Sequence, residues 1–132
     1  MKKSLLVFLT LFSALCYSQV ETVLKSFNTE EISINPLIKG TVYLPLKQNK
    51  KTNLVLLIAG SGPTDRDGNQ KGITNNSLKY VSEELAKNDI AVFSYDKRIL
   101  AQMKAGTVNE ATLTFDDFIT DATAVLLFFK NQ

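Results

Sequence analysis

LVLLIAGSGPTDRDG, residues 54–68, runs an unbroken apolar stretch straight into a small, flexible and then charged loop. Leu54, Val55, Leu56, Leu57, Ile58 and Ala59 leave no polar face, so the run reads as a central parallel strand buried on both sides. Ligands of open α/β sheets bind beyond the carboxyl ends of the strands, which places a site in the loop that starts at Gly60. An absence matters equally: the 132 residues contain no histidine and no G-x-S-x-G, so a site is prepared here without the groups that make it react.

Working outward, residues 31–34 and 38–46, the latter alternating through Val42 and Leu44, read as a hairpin joined through Asn35 and Pro36. Residues 48–53, QNKKTN, form the polar turn before the apolar strand. Downstream, Ser77 is expected to cap a helix to about Lys87 that buries Leu78, Val81 and Leu85, with Asn88 ending it. Residues 90–95, IAVFSY, form the next strand, with Asp96, Lys97 and Arg98 at its carboxyl end. Thr114 and Asp117 make a capping box for a last helix whose stripe is Phe115, Phe118, Ala122, Val125 and Phe129. Hairpin, strand, helix, strand, helix gives an α/β class with parallel strands and flanking helices, and the final helix is expected to lead into a further strand.

Residues 1–18 follow the plan of a signal peptide: Lys2 and Lys3, an apolar stretch over residues 5–15, and the small-residue exit Cys16, Tyr17, Ser18. The stretch is shorter than the roughly 20 residues needed to cross a bilayer, so cleavage after Ser18 is expected to leave a secreted or periplasmic domain, residues 19–132, with no stable membrane span. Cleavage removes the only cysteine, and with it any internal disulfide or thiolate site. It also removes two of 15 basic residues and leaves 13 against 13 acidic ones, a neutral chain unsuited to nucleic acid.

The loop fits poorly to familiar binding motifs. Gly60 and Gly62 match the first two glycines of a dinucleotide fingerprint, but Asp65 stands at the third and Asp96 lies too far downstream. No Gly-Lys-Ser/Thr follows for a phosphate loop. Asp65, Asp67 and Asn69 alternate like calcium ligands, yet Gln70 replaces the turn glycine and Asn76 the bidentate Glu. Neither a metal nor a cofactor is expected. What the small residues do permit is close approach of backbone N–H groups to a substrate oxygen, half of an oxyanion hole, with Ser61 and Gly62 as donors. Pro63 has no N–H to give. The same glycines also serve a plain turn after a strand, and spacing does not separate the two readings. Ser61 as a nucleophile would need a base such as Lys71. Asp65, Arg66 and Asp67 are expected to brace the loop by ion pairs, with Arg98 as a partner, and Asp116, Asp117 and Asp121 to mark the start and solvated face of the last helix.

Three segments together resemble the α/β-hydrolases, in particular secreted or envelope bacterial members of the serine-aminopeptidase-like and acyl-esterase-like branch. LLIAGSGPTDRDGN resembles that family's third strand and oxyanion loop, AVFSYDKR its fourth strand with a D-x-R end, and TFDDFITDATAVLLFFK the helix before the nucleophile strand. Residues 99–101 depart from the family, many members of which have a glycine-rich continuation there.

The resemblance implies a serine on a sharp turn after a fifth strand, then an acid and a histidine, acting on an ester, thioester or amide of a small-molecule acyl substrate. None of the three is in this chain, so no catalytic residue is assigned in it. The chain is expected to be the amino-terminal part of such a hydrolase, truncated before the nucleophile strand and inactive alone, with self-association through an exposed sheet edge. A non-catalytic ligand-binding or interaction module, or a truncated reading frame without independent function, are the alternatives.

Overall fold

The computed structural model describes residues 26–131, apart from the side chain of Glu110. The expected signal peptide and Cys16 lie outside the described residues. Four strands, β1 (Phe27–Asn35), β2 (Ile38–Pro45), β3 (Leu54–Ile58) and β4 (Ala91–Asp96), form one mixed sheet in the order β1-β2-β4-β3. The helices are α1 (Ser77–Lys87), α2 (Arg98–Ala105) and α3 (Phe115–Lys130), with a short 3-10 turn at Glu110–Thr112. The class is α/β, as expected, with helices on both faces of the sheet.

The hairpin turns where Asn35 stands, because its side-chain oxygen accepts the N–H groups of Leu37 and Ile38 at 2.8 and 3.0 Å and so imitates a backbone turn. β1 begins earlier than the sequence suggested, at Phe27, which pairs with Pro45 and sets its ring 6.1 Å from that of Tyr43. β2 and β4 pair antiparallel, while β3, α1 and β4 make a parallel βαβ unit of adjacent strands.

Period-two alternation sorts the core into two layers. Ile38, Val42, Phe93 and Tyr95 point to the face that Val125 of α3 covers, and the rings of Phe93 and Phe129 meet at 4.9 Å. Tyr43 and Val92 point the other way, onto Ala86 of α1. Each large side chain buried this fully contributes about 1.5–3 kcal/mol.

Several expectations are corrected. β3 is not buried on both faces: among the described residues it borders only β4, and Leu54 and Ile58 are 37% and 49% exposed. The strand enclosed on both faces is β4, which has a neighbour on each side. On α1 the fully buried residues are Ser82 and Ala86, small side chains that let the helix lie close on the sheet; Leu85 packs half-buried beside them and Leu78 is half-buried, as expected, but Val81 is exposed. Ser77 does not cap α1. Asn76 occupies that position, and the carbonyl of Asp67 accepts the N–H groups of Leu78 and Lys79 at 3.1 and 3.3 Å.

α2 was not expected, although RILAQMKA contains mostly good helix formers and Gly106 stops it. The capping box of α3 is present as read, with the Thr114 N–H donating to Asp117 at 2.9 Å. Its apolar stripe is only partly buried, because Phe115 is 77% exposed.

Candidate functional site

The loop after β3 is held at its far end by an ionic knot. The Arg66 guanidinium donates to Asp96 Oδ2 at 3.2 Å and to Glu31 Oε2 at 2.6 Å, and the Arg66 N–H donates to Asp96 Oδ1 at 3.0 Å. The buried hydroxyl of Ser94 donates to the Arg66 carbonyl at 2.7 Å. Glu31 from the middle of β1 and Asp96 from the carboxyl end of β4 therefore converge on one arginine, which suits its planar fork of donors. The expected partner was Arg98. It points elsewhere, binding Asp121 through Nε and Nη2 at 2.8 and 2.7 Å and also Asp117. Asp121 is accordingly buried, not on a solvated face.

Asp65 spends one carboxylate oxygen on the N–H groups of Asp67 and Asn69, at 3.0 and 2.7 Å, so it shapes the loop. Burial, together with the neighbouring charge of Asp65, raises the pKa of Asp67 above the usual carboxylate value. Gly68 is required by contact as well as conformation. Its φ is +94°, and a Cβ there would stand 2.6 Å from Ser77 Oγ and 3.1 Å from Leu78 N. A cavity of about 510 Å³ opens over this knot, bordered by Arg66, Asp96, Asp67, Lys71 and Lys104.

At the near end, Gly60, Ser61 and Gly62 are exposed and stand in a different environment. They border a cavity of about 470 Å³ whose apolar wall is Ile58, Ala59, Ile99, Leu113, Phe115 and Phe118. The carbonyls of Gly60, Ser61 and Gly62 are all engaged. Lys97 Nζ donates to the carbonyl of Gly60 and, at 2.6 Å, to that of Gly62. The Thr64 hydroxyl donates to the Ser61 carbonyl at 3.1 Å and in turn accepts from Gln70 Nε2 at 2.6 Å. Lys97 is 6% exposed, and burial lowers its pKa below the ordinary lysine value.

The Ser61 and Gly62 N–H groups, in contrast, have no acceptor among the described residues. Two adjacent donors thus stand unused at the carboxyl end of a parallel strand, next to an apolar cavity. Gly62 has φ +76° with nothing within 4 Å of an added Cβ, so the position demands glycine for its backbone rather than for space. Lys71, the conceivable base for Ser61, borders the other cavity.

Among the described residues no group of His, Cys, Asp or Glu is arranged to hold a metal ion, and no helix is long and apolar enough to cross a membrane. Sequence reasoning singled out Ser61 and Gly62 and did not reach Lys97, Thr64 and Gln70, which tie the carbonyls beside them. The signal available for Lys97 was its place at a strand end beside the loop; nothing local marked the other two. Compared with known proteins, the chain matches no protein-family model, no curated protein and no solved structure.

Proposed function

We propose that this chain carries the oxyanion-binding loop of an exported α/β-hydrolase that acts on small acyl esters, thioesters or amides. The observation that carries the reading is the pair of unpartnered N–H groups at Ser61 and Gly62, whose flanking carbonyls are all occupied, beside a cavity of about 470 Å³. Donors fixed in advance stabilise charge that develops on a carbonyl oxygen without reorganisation at the moment of reaction, and the apolar wall suits an acyl chain. With no histidine and no G-x-S-x-G in its 132 residues, the chain supplies neither nucleophile nor base in the usual form. Those come from residues outside it, and Asp65, Arg66 and Asp96 brace the loop without taking part in chemistry.

The test is turnover of p-nitrophenyl butyrate. The 132-residue chain alone is expected to show none above a boiled control. The product of its complete coding region is expected to carry a serine on a sharp turn and to turn the ester over, with Gly62→Val lowering kcat by about 10² to 10³, the usual effect of losing an oxyanion donor. Turnover by the isolated chain that Ser61→Ala abolishes overturns this reading, as does a complete product with no nucleophile serine. Export predicts a processed terminus at or near Gln19 by mass spectrometry, and an intact Met1 terminus contradicts it.

A further inference from the structure

We propose that Lys97 is the positioning residue of this loop, setting the direction in which the Ser61 N–H is offered to a substrate oxygen; the proposal rests on the oxyanion reading of the site. The argument is one of peptide geometry. A trans peptide is planar, so the N–H of one residue points opposite to the carbonyl of the residue before it. Where a carbonyl is tied, the next N–H is aimed. Lys97 Nζ takes the Gly60 carbonyl, which turns the Ser61 N–H away from the ammonium. It takes the Gly62 carbonyl as well, at 2.6 Å, and no donor is wasted because the next residue is Pro63. Between them, the Thr64 hydroxyl ties the Ser61 carbonyl at 3.1 Å and so aims the Gly62 N–H. Three consecutive carbonyls are held on the protein side, which leaves two donors facing off it.

Lysine fits this task for a physical reason. Its ammonium carries three rotatable donors on a flexible stem, enough to satisfy two carbonyls that diverge from one loop. The residues around the cavity that Lys97 borders include no other titratable side chain, so its charge is answered by carbonyl dipoles and by no carboxylate there. An exposed three-residue segment with two small glycines has little else to order it. Backbone freedom in such a segment opposes its ordering, and the charge-assisted bonds from Lys97 offset that cost.

The experiment uses the isotope-labelled chain and reads the backbone amides of Ser61 and Gly62 by NMR. In the unaltered chain at pH 6 their steady-state heteronuclear NOE is expected to match that of β3, and the Lys97 ammonium protons to exchange with water more slowly than those of the exposed lysines. Lys97→Met keeps the length and apolar stem but no donor; it is expected to lower both NOE values by about half while the sheet resonances stay in place. Lys97→Arg is expected to restore most of the loss. Ordered amides in Lys97→Met overturn the proposal. If Lys97→Met does not fold, the unaltered chain decides: Lys97 ammonium protons that exchange with water at pH 6 as fast as those of the exposed lysines overturn it equally.

Octanoate, a carboxylate on an apolar tail, separates this proposal from the reading beneath it. Binding to the unaltered chain that weakens at least tenfold in Lys97→Met supports both. Equal binding to the two chains overturns the role of Lys97 and leaves the oxyanion reading intact. A chain whose loop is ordered by Lys97 but binds no octanoate keeps the positioning role and counts against the oxyanion reading alone.

Discussion

Arg98 grips both carboxylate oxygens of Asp121, through Nε at 2.8 Å and Nη2 at 2.7 Å, with the two side chains 15% and 5% exposed. The pair ties the first residue of α2 to the middle of α3, two helices that flank the apolar cavity. Donating these hydrogen bonds to Asp121 is the leading cause that raises the pKa of the guanidinium further. Removing one partner of a buried pair leaves an unpaired charge, at a cost of about 3–5 kcal/mol, whereas replacing both by apolar groups is far milder. Asp121→Ala is therefore expected to lose about 3 kcal/mol in urea denaturation, Asp117 retaining part of the guanidinium's partnership. The double change Arg98→Met with Asp121→Leu is expected to lose clearly less. Equal losses would show that the two residues do not act as a pair.

Tyr43 makes stability sensitive to alkali. Burial is the main cause that pushes its phenol up from 10.0 to about 12, and the charges of Asp67 and Glu83 add to it. The folded state thus prefers the neutral phenol: the stabilisation is complete below pH 10 and is lost as pH rises from 10 through about 12. Denaturation series at pH 9, 10 and 11 are expected to show stability falling across that window. Tyr43→Phe should flatten part of the fall. Burial also raises the pKa of Tyr95, so a remainder persists in the variant.

The two loop glycines differ in kind. Gly62→Ala meets open space and pays only for the left-handed backbone, about 1–2 kcal/mol. Gly68→Ala adds contacts at 2.6 Å with Ser77 Oγ and 3.1 Å with Leu78 N at the start of α1. It is expected to cost more than Gly62→Ala by thermal unfolding, and to disturb the amides of α1. The reverse order would mean that the loop shifts freely away from α1.

The free side of β3 carries the last expectation. Among the described residues β3 pairs only with β4, and Leu54 and Ile58 remain partly exposed on an apolar strand. Such an edge is a template for another chain. Size-exclusion chromatography with light scattering is expected to find association that grows with concentration, and Ile58→Lys, which sets a charge on the edge, to shift the population towards monomer. A sharply unfolding monomer at every concentration contradicts this.

Residues 90–95, IAVFSY, announced β4, Thr114 and Asp117 announced the start of α3, and Asn35 with Pro36 announced the hairpin. These features are local. A strand, cap or turn is specified by side chains within a few residues of one another, and the sequence displays them directly. The small residues after β3 likewise announced the exposed loop at Gly60, Ser61 and Gly62. Partners distant along the chain belonged to the tertiary structure alone. Arg66 meets Asp96 across 30 residues, Arg98 meets Asp121 across 23, and Lys97 reaches Gly60 across 37. Nothing in the local pattern told Arg66 from Arg98 as the brace of the loop. That choice follows from the strand order β1-β2-β4-β3, which brings the ends of β3 and β4 together and leads the chain from β4 into α2 at Arg98. The same order made β3 an edge of the described sheet, although its composition is that of an interior strand, because burial depends on how many neighbours a strand has and not on its own side chains.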